Sequence, residues 1–170
     1  MKIAVINTTQ RKGSYSLSVS NSIVDVLLKD GIDANFNQIE VEGFSKQYLT
    51  GRFDDTYNLV AQCSKIIFVV PSYYKNLPPM FMEWLCQLSK PQFEVLDMKP
   101  ILIVSTQAGF SIDSLPETTA RNTICQAIRF SGSLADFYSD WIGVTKEKED
   151  IESLSKLKDR VIEFSRNYKK

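Results

Sequence analysis

Three short, uninterrupted apolar runs mark the chain: Ile3 to Ile6, Ile66 to Val70, and Ile101 to Val104. Each is largely β-branched and bounded by polar residues or proline, the pattern of strands buried on both faces in a parallel sheet. Ala34-Asn35-Phe36-Asn37-Gln38-Ile39 alternates instead, which predicts an edge strand. Tyr138 to Val144, containing Trp141 and Ile142, predicts a fifth strand. Helical spacing fills the intervals. Leu17, Ile23, Val24, Leu27 and Leu28 form one helix face that Gly31 ends. Phe53, Tyr57, Val60 and Ala61 form a shorter one, and Pro79 opens another over Met80-Phe81-Met82-Glu83-Trp84-Leu85. Ser114-Leu115-Pro116-Glu117 reads as a capping box ahead of Ala120, Ile124 and Ile128. The clearest helical stripe is the last: Ile151, Leu154, Leu157, Val161, Phe164 and Tyr168.

Strands alternating with helices imply right-handed βαβ crossovers and a sheet with helices on both faces. Five strands and five helices suit a doubly wound, flavodoxin-like five-stranded parallel sheet of order 2-1-3-4-5, as one domain over residues 1–170. That order puts the ligand crevice at the carboxyl ends of the first and third strands. The loops after Ile6, Val70 and Val104 are therefore where chemistry is expected.

Composition narrows the class. With 44% hydrophobic and 24% charged residues the chain is globular, and 20 basic against 20 acidic side chains leave no global field toward nucleic acid or an anionic membrane. No apolar run is long enough for a signal peptide or a membrane span, so a cytoplasmic protein is expected. Cys63, Cys86 and Cys125 form no CxxC pair and read as small buried apolar residues, and no metal site is expected. The chain has no histidine, which excludes Ser-His-Asp and Cys-His catalysis; a bound cofactor is then the natural carrier of any difficult step.

The first loop, Asn7 to Ser16, holds five hydroxyls, the cations Arg11 and Lys12, one glycine and no acid, and it runs into a helix. A phosphate needs that mixture at the amino end of a helix dipole. Ser16 also serves as an ordinary helix N-cap in any protein. In the second loop, Pro71-Ser72-Tyr73-Tyr74-Lys75-Asn76-Leu77-Pro78-Pro79, two tyrosines and three prolines make a stiff apolar wall. Adjacent tyrosines pack on many surfaces, but in a crevice loop they suit a flat stacking ligand. The third loop, Ser105-Thr106-Gln107-Ala108-Gly109-Phe110, adds hydroxyl, amide and backbone donors. Across the three loops Arg11, Lys12 and Lys75 meet no carboxylate until Asp113, which points to an anionic ligand. GxGxxG and GxxxxGK[ST] are both absent, and Asn7 and Pro71 stand where a receiver domain needs acids.

Thr9-Gln10-Arg11-Lys12-Gly13-Ser14-Tyr15-Ser16 resembles the GSxRxxSxN/S phosphate loop of the NAD(P)H-dependent FMN reductases. Pro71-Ser72-Tyr73 followed by Asn76-Leu77-Pro78 resembles their P-x-Y…S-x-P flavin loop. The resemblance implies that Thr9, Arg11, Ser14 and Ser16, with Leu17 beside them, hold the FMN phosphate. Pro71, Ser72, Tyr73, Tyr74, Lys75 and Asn76 would then line the isoalloxazine, and Thr106, Gln107 and Gly109 close its other side. Thr8-Thr9 replaces the family's Gly-Ser, and a β-branched residue lacks a glycine's backbone freedom. From Met80 to Leu88 only Glu83 and Gln87 are polar, so this helix lies deep in its own core or against a second subunit. Members of the family are commonly dimers, which favours a homodimer.

The function implied is an FMN-binding oxidoreductase that passes a hydride from NAD(P)H to a small-molecule acceptor such as a flavin, quinone or azo compound. The flavin carries the chemistry, so no catalytic side chain is expected. Two rivals share the fold: a flavodoxin-type electron carrier, which is usually strongly acidic, and a flavin-free interaction module.

Overall fold

The computed structural model describes residues 1–9, 11–38, 53–71, 77–87, 96, 98–107, 136–137, 142–145 and 151–167. The elements are β1 (Lys2–Asn7), α1 (Tyr15–Lys29), β2 (Asp33–Gln38), α2 (Phe53–Gln62), β3 (Lys65–Pro71), α3 (Pro79–Gln87), β4 (Pro100–Gln107), β5 (Asp136–Phe137), β6 (Ile142–Thr145) and α4 (Ile151–Asn167). β1 pairs in parallel with β2 and β3, and β3 pairs in parallel with β4, giving the order 2-1-3-4. This is an α/β fold on a parallel sheet.

Alternate residues of each strand enter different clusters because a strand turns successive side chains to opposite faces. Ala4, Ile6, Ile66, Phe68, Val70, Ile101 and Ile103 pack with Val60 of α2 and with Phe81, Trp84 and Leu85 of α3. Ile3, Val5, Ile67, Val69, Leu102 and Val104 pack instead with Val19, Ile23 and Leu27 of α1 and with Leu157, Val161 and Phe164 of α4. Each fully buried Ile, Leu or Phe contributes about 1.5–3 kcal/mol of apolar transfer energy. The three uninterrupted runs can therefore lie only in the middle of the sheet, where both faces are covered.

The fifth strand expected over Tyr138–Val144 takes another form. β4 is flanked by two short segments: β5 pairs with its amino end and β6 with its carboxyl end, both in parallel. The register advances by two residues between them, since Ile101 faces Phe137 but Val104 faces Ile142, so one regular ladder cannot run through both. Residues 138–141 themselves lie outside the described residues, as do Ile39 and the capping box at Ser114–Glu117.

Helix ends are fixed by named contacts. Gly31, at φ +74°, donates to the Leu28 carbonyl at 3.1 Å, and Ile32 donates to the Leu27 carbonyl at 2.9 Å. This Schellman closure requires the left-handed conformation that glycine adopts without strain. Leu28 leaves the predicted apolar face and is 53% exposed, because the buried stripe follows Val19, Ile23 and Leu27 at four-residue steps. Two lysines close helix ends from the sheet side. Lys65 Nζ donates to the Phe164 and Ser165 carbonyls, each at 2.7 Å, and sits 5.4 Å from the centre of the Phe164 ring. Lys99 Nζ donates to the Val60 carbonyl at 2.6 Å and to that of Ala61 at 3.2 Å. Burial pushes both ammonium groups below the ordinary lysine value. Arg166 pairs with Asp30, tying the carboxyl end of α4 to that of α1.

Pro79 is the first residue of α3, where the missing N–H costs nothing. Phe81, Trp84 and Leu85 face the core at three- and four-residue steps, while Met82 is half-buried. Phe81 lies 5.2 Å from Phe68 and stacks on Trp84 at 6.0 Å, centre to centre. The core thus explains one flank of this apolar helix. Cys63 is buried beside it, and burial raises its thiol above the ordinary value.

Candidate functional site

The register brings the loop after β1 beside the ends of β3 and β4. Asn7 faces Val69, Val70 faces Ser105, and Pro71 faces Thr106. Thr8 extends the pairing: its N–H donates to the Val69 carbonyl at 3.0 Å and its hydroxyl donates to the same oxygen at 3.1 Å. Neighbouring strands lie about 4.8 Å apart, so these three strand ends span roughly 10 Å, the scale of a three-ring heterocycle.

Thr8 stands where the resembling loop has glycine. Among the described residues only Met98 carries a positive φ without being glycine, so Thr8 occupies ordinary backbone and its hydroxyl anchors the loop to β3. The left-handed turn falls at Gly13, φ +69°, where a Cβ would meet nothing within 4 Å. Conformation, not space, calls for glycine there.

Gly13 sets up the start of α1. The N-cap is Ser14, which corrects the assignment of that role to Ser16. Ser14 is extended at φ −70°, ψ 155°, and its hydroxyl accepts the Leu17 N–H at 3.2 Å. Ser16, inside the first turn and buried, places its hydroxyl 3.0 Å from that of Ser14. The pair therefore converges at the amino end of α1, whose first turn carries no acid. Amides ahead of Leu17 have no intrahelical acceptor in an α-helix, and the dipole makes this end positive. Thr9 is buried, and its hydroxyl accepts the Arg11 N–H at 3.3 Å. Arg11 and Lys12 are exposed on the rim. This donor set fits a phosphate: hydroxyls, a helix terminus and two cations, in a loop whose own sequence from Asn7 to Ser16 holds no acid.

Two predicted residues join from the neighbouring strands. Pro71 ends β3 and is buried, and Thr106 of β4 is buried opposite it. Gln107 closes β4 and faces Thr145 of β6, and Leu17 is half-buried in the first turn of α1. Ser72, Tyr73, Tyr74, Lys75, Asn76 and Gly109 lie outside the described residues.

Asn7 opens the first loop in the sequence but was given no ligand role there. It is 0% exposed, its Oδ1 accepts the Thr9 N–H at 3.3 Å, and its Nδ2 has no hydrogen-bond partner. The available signal was a polar residue continuing a strand whose neighbours are all buried.

A parallel sheet of order 2-1-3-4 whose first strand leads through a short loop into a helix is the arrangement of the flavodoxin-like class of α/β proteins. Known structures agree. An oxidoreductase from Corynebacterium diphtheriae is similar with a TM-score of 0.72 at 14% identity, covering 96% of this chain and 92% of that one. The apo form of an NADH:FMN oxidoreductase gives 0.71 at 13% identity, with 96% and 87% covered. General stress protein 14 from Treponema denticola, in complex with FMN, gives 0.67 at 11% identity, with 95% and 96% covered. At these identities the likeness shows the fold. A search of curated proteins found no match. The model of the NADPH-dependent FMN reductase family matches residues 1–123, and the chain belongs to that family of flavin-dependent oxidoreductases. No helix among the described residues is long and apolar enough to cross a membrane.

Proposed function

We propose that this chain binds FMN across the carboxyl ends of β1, β3 and β4 and passes a hydride from NAD(P)H to a small-molecule acceptor such as a flavin, quinone or azo compound. The observation that carries the reading is the convergence of the Ser14 and Ser16 hydroxyls, 3.0 Å apart, at the acid-free amino end of α1. In this reading Thr9, Arg11, Ser14 and Ser16 hold the phosphate, with Leu17 completing the turn. Pro71 to Asn76 line one side of the ring, and Thr106, Gln107 and Gly109 the other.

When bound, the flavin supplies the hydride chemistry. The chain's own part is to bind, orient and exclude water. The β1–β3 pairing, continued through Thr8, fixes the start of the phosphate loop relative to the carboxyl end of β3. None of these roles needs a side-chain acid or base, in keeping with a chain that has no histidine. We place the protein in the cytoplasm as a homodimer of single-domain chains, with α3 at the interface because its sequence is apolar beyond the flank that faces the core.

Equilibrium titration of the protein with FMN and with riboflavin tests the binding half of this proposal. FMN is expected to bind more tightly, and Arg11→Ala to weaken FMN about 10- to 100-fold while leaving riboflavin nearly unchanged. Equal losses for the two ligands would show that Arg11 does not read phosphate.

A further inference from the structure

Asn7 ends β1 at the centre of the sheet, between Gln38 of β2 and Val69 of β3. Ile3 and Val5, two and four residues earlier, pack against Val19, Ile23 and Leu27 of α1. Alternation along a strand puts the Asn7 side chain on that same face, under the amino end of α1. The amide is held at one end only. Thr9 donates its N–H to Oδ1, which fixes the orientation, since the reverse would set two donors against each other. Nδ2 is left with two hydrogens, no acceptor, and no exposure to solvent.

Buried donors in folded proteins are nearly always satisfied, so an orphan of this kind needs an acceptor. Ile3 and Val5 place this face of β1 against α1, and the amino end of that helix carries the Ser14 and Ser16 hydroxyls, which are themselves suited to an anion. In the structure Asn7 is the last residue of β1, on the sheet and not on the helix, so it is a separate pointer to the same place. Two further observations favour an anionic oxygen as the acceptor. The first turn of α1 carries no acid, and Arg11 and Lys12 stand exposed beside it.

We infer that Asn7 is an additional ligand-binding residue, whose side-chain amide donates from the floor of the cradle to a phosphate oxygen of the ligand held at the amino end of α1. The inference rests on the FMN reading above. It gives the site a donor from the sheet beneath, so that phosphate is read from the strand as well as from the loop and the helix. The ligand's phosphate then completes the hydrogen bonding of the sheet end.

Asn7→Asp is the informative substitution. It keeps the oxygen that accepts the Thr9 N–H and replaces only the orphan donor, with an acid. FMN and riboflavin are titrated by fluorescence against wild type, Asn7→Asp and Asn7→Ala, with folding checked by circular dichroism. FMN affinity is expected to fall about 100-fold or more in Asn7→Asp and about 10-fold in Asn7→Ala, with riboflavin changing less than about threefold. Lowering the pH should restore part of the Asn7→Asp loss, because a protonated acid again offers a donor. Equal loss of both ligands, or no loss of either, overturns the inference: Asn7 would then be only a turn former, or a partner of internal water. A measurement on the wild-type protein guards against variants that fail to fold. The Asn7 side-chain NH2 signals in a nitrogen-15 correlation spectrum should shift on adding FMN and stay in place on adding riboflavin. Signals indifferent to FMN in a protein that binds it overturn the role of Asn7 alone, whereas a wild-type protein that binds neither ligand overturns the FMN reading.

Discussion

Ser14 carries two roles that a single substitution can separate. Its hydroxyl accepts the Leu17 N–H and so caps α1, and the same oxygen lies 3.0 Å from Ser16 in the proposed phosphate cradle. Asp is as good an N-cap as Ser, and a negative charge at this end is favoured by the helix dipole by about 0.3–1 kcal/mol. Ser14→Asp should therefore leave the apo domain at least as stable as wild type. The same charge would lie against a phosphate. Losing a hydrogen bond to a charged group costs about 1.5–3 kcal/mol, and repulsion at about 4 Å adds a further ~1–4 kcal/mol depending on solvent access. Together these predict a loss of FMN affinity of at least about 100-fold. Riboflavin, without a phosphate, should bind Ser14→Asp nearly as well as wild type. Ser14→Ala gives the complementary pattern: a domain about 1 kcal/mol less stable, with a smaller loss of FMN. Urea denaturation of the apo proteins and paired fluorescence titrations measure both quantities. Full FMN affinity in a well-folded Ser14→Asp protein would refute a phosphate at the amino end of α1.

Three predictions concern the rest of the structure. Lys65→Met leaves the Phe164 and Ser165 carbonyls without their donor and should destabilise the domain by about 1.5–3 kcal/mol in urea, with unchanged FMN affinity in the folded protein. Cys63 retains its proton longer in the folded chain than in the unfolded one, because burial raises its thiol, with Asp33 adding to the effect and Asn35, Lys99 and Lys2 opposing it. Above about pH 9 the unfolded state then ionises first and stability falls, so Cys63→Ala should lose stability with pH less steeply than wild type; parallel curves would contradict this. Met82 is half-buried on α3, whereas Phe81 is fully buried in the core. Met82→Asp should accordingly turn a dimer into a folded monomer by light scattering, and a wild-type protein that is already monomeric at micromolar concentration removes the interface.

The sheet order of the first four strands was legible because Ile3–Ile6, Ile66–Val70 and Ile101–Val104 can be satisfied only where both faces are covered. Gly31 announced the end of α1 because a Schellman closure has few alternatives to glycine. The edge beyond β4 was not legible: the two-residue shift in pairing between β5 and β6 leaves no trace in hydrophobic periodicity. At the site, Ser14 and Ser16 were readable as residues at the start of α1. Which serine caps the helix depended on the turn at Gly13, a backbone property. Asn7 and Lys65 were hidden for a shared reason. A polar residue at a strand end reads as a boundary with solvent, whereas here one end lies under a helix terminus and the other beneath the last turn of α4.

Hydride transfer through bound flavin is open to direct observation in the anaerobic half-reaction. The FMN-loaded protein is mixed with NADPH or NADH without oxygen and the flavin absorbance near 450 nm (roughly the oxidised flavin band, accessible because the proposed redox centre is the only chromophore there) is followed. The flavin is expected to bleach with one nicotinamide consumed per flavin, and a quinone or free FMN should restore the colour. A protein in which Cys63, Cys86 and Cys125 are all replaced by alanine should behave in the same way, because no thiol takes part. Bound flavin that stays oxidised under excess NADH and NADPH, yet is reduced by dithionite, would contradict the account and leave an electron carrier in its place.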